Sequence, residues 1–406
     1  MNINLQNIFF SGDIEQIEKL IRENSDIFKE SRDTLQKQII VKLLSLEKYK
    51  TLLSLAKNRA IVMDMYELDN LERSLIEAIF TNIRFYSQTL TAFNYEKLSK
   101  EEPRQEALVF FGEFISIIEN IEESTGNSSL LKMALEKKMP LEAIQLLIDT
   151  GCRVDEVDTN ENTLLHLKLT PAQMELLIQN GAQVNQHNKV NISILEKAID
   201  NNQPELVKIL LENGANISVK NKNESSLFQF ALVDKWVYEI YDLLCEYESP
   251  NFNELNYDGT LFLYEYIRRI DTYSSETTYE YLKKILDQGA SLTVQCNYYD
   301  NLTTPLDLAI KKDYKVFEIV LKYYSEDINL SDNAGNTLLH KLCMLDINSD
   351  IDKARELYKK VKLVLEQWAD TTLRNTEDKL PHELAIFDNA KEKIIQLLLK
   401  HISSYE

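Results

Sequence analysis

Histidine and cysteine are the side chains most ready to act as bases, nucleophiles or metal ligands near neutral pH. This chain of 406 residues holds five of the first and four of the second. His166, His187, His340, His382 and His401 are dispersed, as are Cys152, Cys245, Cys296 and Cys343. No Cys or His spacing matches a zinc site. There is no glycine-rich phosphate loop, no nucleophile elbow and no helix carrying paired metal ligands. Asp332-Asn333-Ala334-Gly335-Asn336 opens like a calcium loop but lacks the acidic residue that would close one. Carboxylates alone can cleave a glycosidic bond when paired across it. The acids of residues 1–125, a stretch without histidine or cysteine, instead fall where a solvated helix face would put them. The sequence therefore predicts no catalytic residue, no cofactor and no metal.

Two of the histidines share a setting. Thr163-Leu164-Leu165-His166 and Thr337-Leu338-Leu339-His340 each begin with a residue whose hydroxyl can accept an orphan N–H of a first helical turn. The leucines start an apolar face. After Thr163, a second apolar run from Met174 to Ile178 follows Pro171, which the first turn of a helix tolerates. Gly181 then ends that helix. The spacing predicts two short antiparallel helices and a turn, a unit too small to bury its own apolar face without stacked neighbours. Neighbours are present. The capped opening recurs at Ser129, Ser193, Ser226, Thr260, Thr304 and Thr337, and in weaker form at Leu380, with separations of 34, 30, 33, 34, 44, 33 and 43 residues counted from Ser129 through Thr163. The closing Gly-Ala recurs at Gly181, Gly214 and Gly289, with Gly151-Cys152 as a variant and Trp368-Ala369-Asp370 in the same slot.

A period near 33 residues with this opening and this close resembles the ankyrin repeat. The best single matches are Thr304-Pro305-Leu306-Asp307-Leu308-Ala309, Thr337-Leu338-Leu339-His340 and Pro204 through Asn216, and the resemblance covers about 280 residues from Ser124 onward. It implies an all-α ankyrin-repeat solenoid of about eight helix-turn-helix units, spanning 126–406 with insertions near 270–279 and 345–354. It also implies that His166 and His340 are structural, bonding neighbouring repeats. Inter-repeat tips are expected near Asp158–Glu161, Gln186–Lys189, Lys220–Asn223, Leu255–Asp258, Asn297–Asp300, Leu330–Asn333 and Leu373–Glu377. Tips and first helices would line an extended concave surface.

Residues 1–125 read as a helical bundle packed on the end of that array. Helices are expected from Ser11 (Ile14, Ile17, Leu20 and Ile21 inward), over about 32–57, and from Asp69 to Phe93. In the third, Ile79, Ile83, Tyr86, Leu90 and Phe93 form a heptad stripe. A further helix from Pro103 to about Glu123 would turn Leu108, Phe111, Ile115 and Ile118 inward.

The net charge is −20, of which residues 1–125 contribute −6 and the remainder −14. An excess spread this way argues against nucleic acid and anionic membrane surfaces and favours a basic protein partner. No run approaches the ~20 apolar residues of a membrane span. Unpaired cysteine spacing suits a reducing compartment, the cytoplasm, with export by a specialised secretion system left open. Aromatic residues concentrate between Phe228 and Tyr281, and either present binding anchors or fill a widened core, with Phe228, Phe230 and Phe262 assigned to core. The predicted partner-binding residues are Tyr257, Asp258, Tyr298, Tyr299, Asp300, Asp332, Asn333, Asn188 and Asn221. Replacing Tyr257 and Tyr298 by alanine is expected to weaken capture by more than ~2 kcal/mol without lowering the melting temperature. The leading function is a non-catalytic protein–protein interaction module binding a basic partner in an acidic groove. An abundance of Asn, Lys, Ile and Tyr suggests an AT-rich genome, and two bacterial alternatives stand beside it. One is an immunity protein neutralising a toxin; the other is a host-directed effector whose N-terminal bundle carries an activity.

Overall fold

The computed structural model describes residues 34–57, 75–85, 104–117, 129–221, 223–271, 273–299, 301–386 and 388–403, with residues 15, 16, 19 and 23. The chain divides into two compact units, residues 1–217 and 218–406. Both are built from helices, joined in the second unit by one short β-hairpin. The expected core positions Ile14, Ile17, Leu71, Tyr86, Leu90, Phe93 and Ile118 lie outside the described residues.

In the first unit α1 (Thr34–Ser45), α2 (Tyr49–Lys57), α3 (Leu75–Asn82) and α4 (Gln105–Ile115) precede the helix pairs. The single helix expected over 32–57 is two. Ser45 turns its hydroxyl back onto the Lys42 carbonyl at 2.7 Å, and Glu47 takes a left-handed φ of 56°. The helix expected to run past Ile83 stops at Asn82, after two weak helix formers, Thr81 and Asn82. Ile83 and Phe85 are buried in non-helical backbone instead, and the Phe85 carbonyl accepts from the Arg104 N–H at 2.6 Å. On α4 the inward face is Ala107, Phe110, Phe111, Phe114 and Ile115. Leu108, expected inward, is only half-buried. Rings hold this region together: Tyr49 stacks on Phe110 at 4.8 Å, and Phe80 and Phe85 meet Phe111 at 5.4 and 5.5 Å. Helix α4 packs on α2.

The pairs follow: α5 (Leu130–Glu136) with α6 (Leu141–Asp149); a 3-10 turn (Leu164–His166) with α7 (Pro171–Gln179); α8 (Ile194–Asp200) with α9 (Pro204–Glu212). Helix α3 contacts α5, and α4 contacts α6. The two full helices expected between Asn162 and Asn185 are one turn and one helix. Three fewer residues separate Thr163 from Pro171 than Ser193 from Pro204, and Pro171 holds Thr170 extended at ψ 159°.

In the second unit α10 (Leu227–Gln229) runs into a π-turn (Phe230–Asp234) and pairs with α11 (Tyr238–Tyr247). Then come α12 (Phe262–Arg269) with α13 (Glu276–Asp287), the hairpin β1 (Cys296–Tyr298) and β2 (Asn301–Thr303), and α14 (Pro305–Lys311) with α15 (Tyr314–Tyr323). Helices α16 (Leu338–Met344) with α17 (Ile351–Leu365), and α18 (Pro381–Leu384) with α19 (Glu392–Ser403), complete it. Second helices pack in file, α13 on α15, α15 on α17 and α17 on α19, while α12 packs on α14 and α16 on α18. Ser226 and Thr304 cap their helices as expected; Thr260 does not. Helix α12 starts one residue later, behind Leu261 and without a side-chain cap, and the buried Thr260 hydroxyl donates to the Glu265 carboxylate at 3.0 Å.

Half of the aromatic concentration is fully buried core. Phe228, Tyr241, Phe262, Tyr264 and Tyr266 are buried, and Tyr241 sits edge-on to both Phe228 and Phe262. Phe230 is only half-buried, in the π-turn. Tyr273, in the insertion between α12 and α13, is almost fully exposed.

Three lysines repeat a device invisible in the hydrophobic pattern. Lys312, Lys360 and Lys391 send their ammonium groups to the carbonyls of Ile270 (2.5 Å), Ile310 (2.9 Å) and Cys343 (2.9 Å), each at or near the end of the first helix of the preceding pair. These carbonyls lack partners within their own helices, and the helix dipole favours a cation there. Burial lowers the pKa of Lys312 and Lys360.

The residue closing five of the second helices is left-handed, while α11 and α15 end in the extended Glu248 and Tyr324. Gly181 takes φ 97° and Gly214 φ 79°, but Trp368 occupies the same slot at φ 65° with its side chain 79% exposed. A bulky residue there is strained, by roughly 1–2 kcal/mol. Trp368→Gly should raise the unfolding free energy by about 1 kcal/mol in urea titrations, and a loss of stability would mean the indole makes contacts that its exposure does not suggest.

Candidate functional site

Six of the seven tips are built around one side chain, and the β1–β2 hairpin forms the seventh. Asp158, Asn188, Asn221, Asp332 and Asn375 each accept with Oδ1 from two backbone N–H groups, two and four residues ahead, at 2.8–3.2 Å. Asn256 accepts from the Thr260 N–H in the same way at 3.0 Å. The residue three places on is left-handed at every one: Glu161, Asn191, Glu224, Gly259, Gly335 and Asp378. These side chains do locally what a hairpin turn does with backbone, which explains why Asp and Asn recur there. Gly335 thus belongs to the turn, at φ 72°, and an added Cβ would stand 2.8 Å from the Thr376 nitrogen.

Neighbouring tips are tied together within each unit. In the first, the Lys189 N–H donates to the Asn160 carbonyl at 2.8 Å, and the Asn188 amide donates to Asn162 at 2.9 Å. In the second, the N–H groups of Tyr257, Asn297 and Thr376 donate to Asn223, Gly259 and Ala334 at 3.1, 3.0 and 3.0 Å. The backbone that carries Tyr257 is therefore fixed on both sides.

The histidines join the helix pairs to this framework. In His166 and His340 Nδ1 accepts from the N–H of Thr163 and Thr337 at 3.1 and 3.2 Å, closing the helical cap. Nε2 lies 3.2 Å from the Ile192 carbonyl and 3.0 Å from that of Lys379 in the next tip. With Nδ1 accepting, the proton resides on Nε2 and donates to that carbonyl. Burial lowers the pKa of both rings, so both are neutral. Elsewhere the same position carries other acceptors: the Asp307 carboxylate accepts from the Thr304 N–H at 3.1 Å and Glu383 from the Leu380 N–H at 2.7 Å.

The predicted contact residues separate into three groups. Tyr257 and Tyr299 are the most exposed, at 79% and 83%, and lie on adjacent tips of the second unit beside the exposed Asp258. Tyr299 sits at φ 47° with its ring edge-on to Tyr298 at 4.6 Å. Asn333 is exposed at the next tip but one, on the same loop as Asp332. The second group is structural. Asn221 is 3% exposed with its oxygen committed to the tip, so it is no contact residue, contrary to expectation. Asn188 is half-buried, and both ends of its amide serve the tip framework. Tyr298 packs against the buried Tyr264, at 5.4 Å between rings, with Arg268 at 5.8 Å. Its removal would disturb the core, so the Tyr257–Tyr298 pair is not the clean test that the sequence suggested. Asp300 lies outside the described residues.

Sequence reasoning passed over the aliphatic members of this face. Leu255, Leu302 and Leu330 are exposed on the tips that carry Tyr257, Tyr299 and Asp332. A leucine at a turn position, where polar residues prevail, was the available signal. The charge is also less one-sided than the composition implies. Lys341 lies 3.4 Å from Asp332 and 2.8 Å from Asp307, and Lys220 pairs with Glu254 at 2.8 Å.

No disulfide joins the four cysteines. Burial raises the pKa of Cys245 and Cys296, and pushes Cys343 up to about 12. Among the described residues no helix is long and apolar enough to cross a membrane.

Known proteins place this geometry. The family description "Ankyrin repeats (3 copies)" matches residues 130–221. A putative ankyrin repeat protein of Fowlpox virus (strain NVSL) is 27% identical over 129 residues, which is 31% of this chain and 34% of the relative. The chain thus matches about a third of the length of that relative, which is viral rather than bacterial. Among solved structures, the ankyrin repeat domain of Bcl-3, titled a unique member of the IkappaB protein family, aligns at 16% identity and TM-score 0.44, covering 68% of this chain and 100% of that one. The human ASB11 ankyrin repeat domain aligns at 22% identity and TM-score 0.38, covering 67% and 98%.

The two neutral histidines make stability depend on pH in a known direction. Unfolded histidine titrates near 6.5, while the folded rings, with lowered pKa, resist protonation. Their contribution is complete above that value and is lost as pH falls below it, because the unfolded chain then binds more protons. Urea titrations at about pH 7 and about pH 5.5 should show a larger loss for the native chain than for the His166→Gln, His340→Gln variant. Equal losses would show that the histidines do not hold the framework as neutral rings.

Proposed function

This chain is an ankyrin-repeat protein, and we propose that it acts as a non-catalytic interaction module. Its contact surface would be the tip row of the second unit, and its partner a protein presenting a basic, partly apolar face. Ankyrin repeats are in general protein–protein interaction modules. The observation that carries the reading here is the pairing of Tyr257 and Tyr299, two exposed rings on adjacent tips whose backbones are hydrogen-bonded together. Rigid amphipathic side chains lose little entropy on binding, which is why such residues dominate interface energetics. Leu255, Leu302 and Leu330 extend the apolar area, and Asp258 supplies a carboxylate beside it. The net charge of −20 favours encounter with a cationic partner, although Lys341 and Lys220 already neutralise part of the tip charge.

We further propose that the helices preceding residue 125 form a bundle covering the first repeat, a reading supported by the contacts of α3 with α5 and α4 with α6. The absence of any disulfide among the four cysteines supports a reducing compartment. Nothing in the arrangement of the described residues favours an immunity-protein or effector role over general partner binding.

The test is capture of partners from a lysate by the full chain and by the Tyr257→Ala, Tyr299→Ala variant, followed by affinity measurement on the purified partner. Both side chains are exposed, so the melting temperature should hold while affinity falls by more than ~2 kcal/mol. Unchanged affinity would remove the tip row from the binding site.

A further inference from the structure

The first unit holds a second surface that the tips do not explain. Between α4 and α6, with α7 at one end, lies an open groove of about 680 Å³. Its lining is aliphatic: Leu108 and Val109 from α4, Leu141 and Leu146 from α6, and Leu176 from α7. Val109 is 51% exposed and Leu141 is exposed as well. Helix α4 thus has two apolar faces. One, built on Phe110, Phe111 and Phe114, is spent on the core; the other opens to solvent. The charged residues of the lining are Glu142 and Asp149, with no cation among them. A reciprocal amide pair joins α6 to α7 nearby: Gln145 and Asn180 each donate to the other, at 3.3 and 3.1 Å.

Gly112, in the middle of α4, also lines the groove. Glycine weakens a helix interior relative to alanine. Here packing does not require it, because an added Cβ would meet Leu146 at 3.6 Å, an ordinary contact, and no φ between +20° and +160° calls for it. The Leu146 methyls pack against the α4 backbone at this point.

We infer that this groove is a docking site for an amphipathic helix of a partner, with leucine-like residues along one face and lysine or arginine flanking them. The aliphatic floor offers contacts to side chains spaced at i, i+3, i+4 and i+7. Glu142 and Asp149 select the flanking charge: a basic helix is attracted and an acidic one repelled. The site lies wholly within the first unit and is independent of the tip-row reading.

The experiment uses the full chain and a labelled helical peptide of about 18 residues, made of leucine and lysine at that spacing, with fluorescence anisotropy as readout. A peptide with the same leucines and glutamate in place of lysine should bind about tenfold more weakly or not at all. Val109→Asp is the decisive variant, since its side chain is half-exposed and the substitution adds negative charge. Docking in the groove predicts about tenfold weaker binding of the leucine–lysine peptide, whereas attraction to an acidic chain predicts unchanged or tighter binding. The Tyr257→Ala, Tyr299→Ala variant should bind this peptide as the native chain does. The inference is overturned by absence of binding, by equal binding of the two peptides, by undiminished binding to Val109→Asp, or by loss of binding in the tyrosine variant.

Discussion

A backbone N–H left without a partner away from water costs about as much as a hydrogen bond, and a helix of seven to nine residues leaves many at its ends. This protein meets that constraint with side chains acting across repeats. An Asp or Asn closes six of the tips from within, a hydroxyl or a histidine closes the start of many first helices, and three lysines close carbonyls at the ends of others. Every short element is completed by something outside itself. No pair could be excised and remain satisfied, which is the physical content of a repeat architecture.

The histidines show how economical this is. One ring accepts from the helix cap with Nδ1 and donates to the next tip with Nε2, so a single side chain completes a turn and couples two repeats. The residue type with the greatest catalytic potential is here held neutral and buried. Where the period places Asp307 or Glu383 instead, a carboxylate oxygen retains the cap.

Function then depends on what a rigid scaffold leaves exposed. On the tips that is tyrosine and leucine on fixed backbone; on α4 it is a second aliphatic face beside two carboxylates. The surfaces differ in kind. The first presents exposed rings on turns, suited to inserting into or stacking on a partner, and the second is an aliphatic groove, suited to receiving one. Strain is concentrated at Tyr299 and Trp368, bulky residues in left-handed backbone with exposed side chains.

Much of this was legible in residue order. The period, the caps at Ser129, Ser193 and Thr337 and the closing glycines follow from local rules, because capping and left-handed conformation are decided by residues within one turn of each other. That His166 and His340 were structural also followed from their place in the repeat. The sequence misled where distance decided. Residues 34–57 satisfy a helical period throughout, yet Ser45 and Glu47 break the helix. Tyr298 and Tyr299 are identical in type, and only packing against Tyr264 and Arg268 sends one toward the core and the other to solvent. Asn221 reads as a polar loop residue until the folded tip encloses it. The lysine ammoniums and the α4–α6 groove left no local signal at all, since their partners lie some 30 to 50 residues away along the chain. Composition and spacing determined which elements form and that they must stack. Which side chains are consumed in the stacking, and which remain for another molecule, is set by contacts that exist only after the repeats have met.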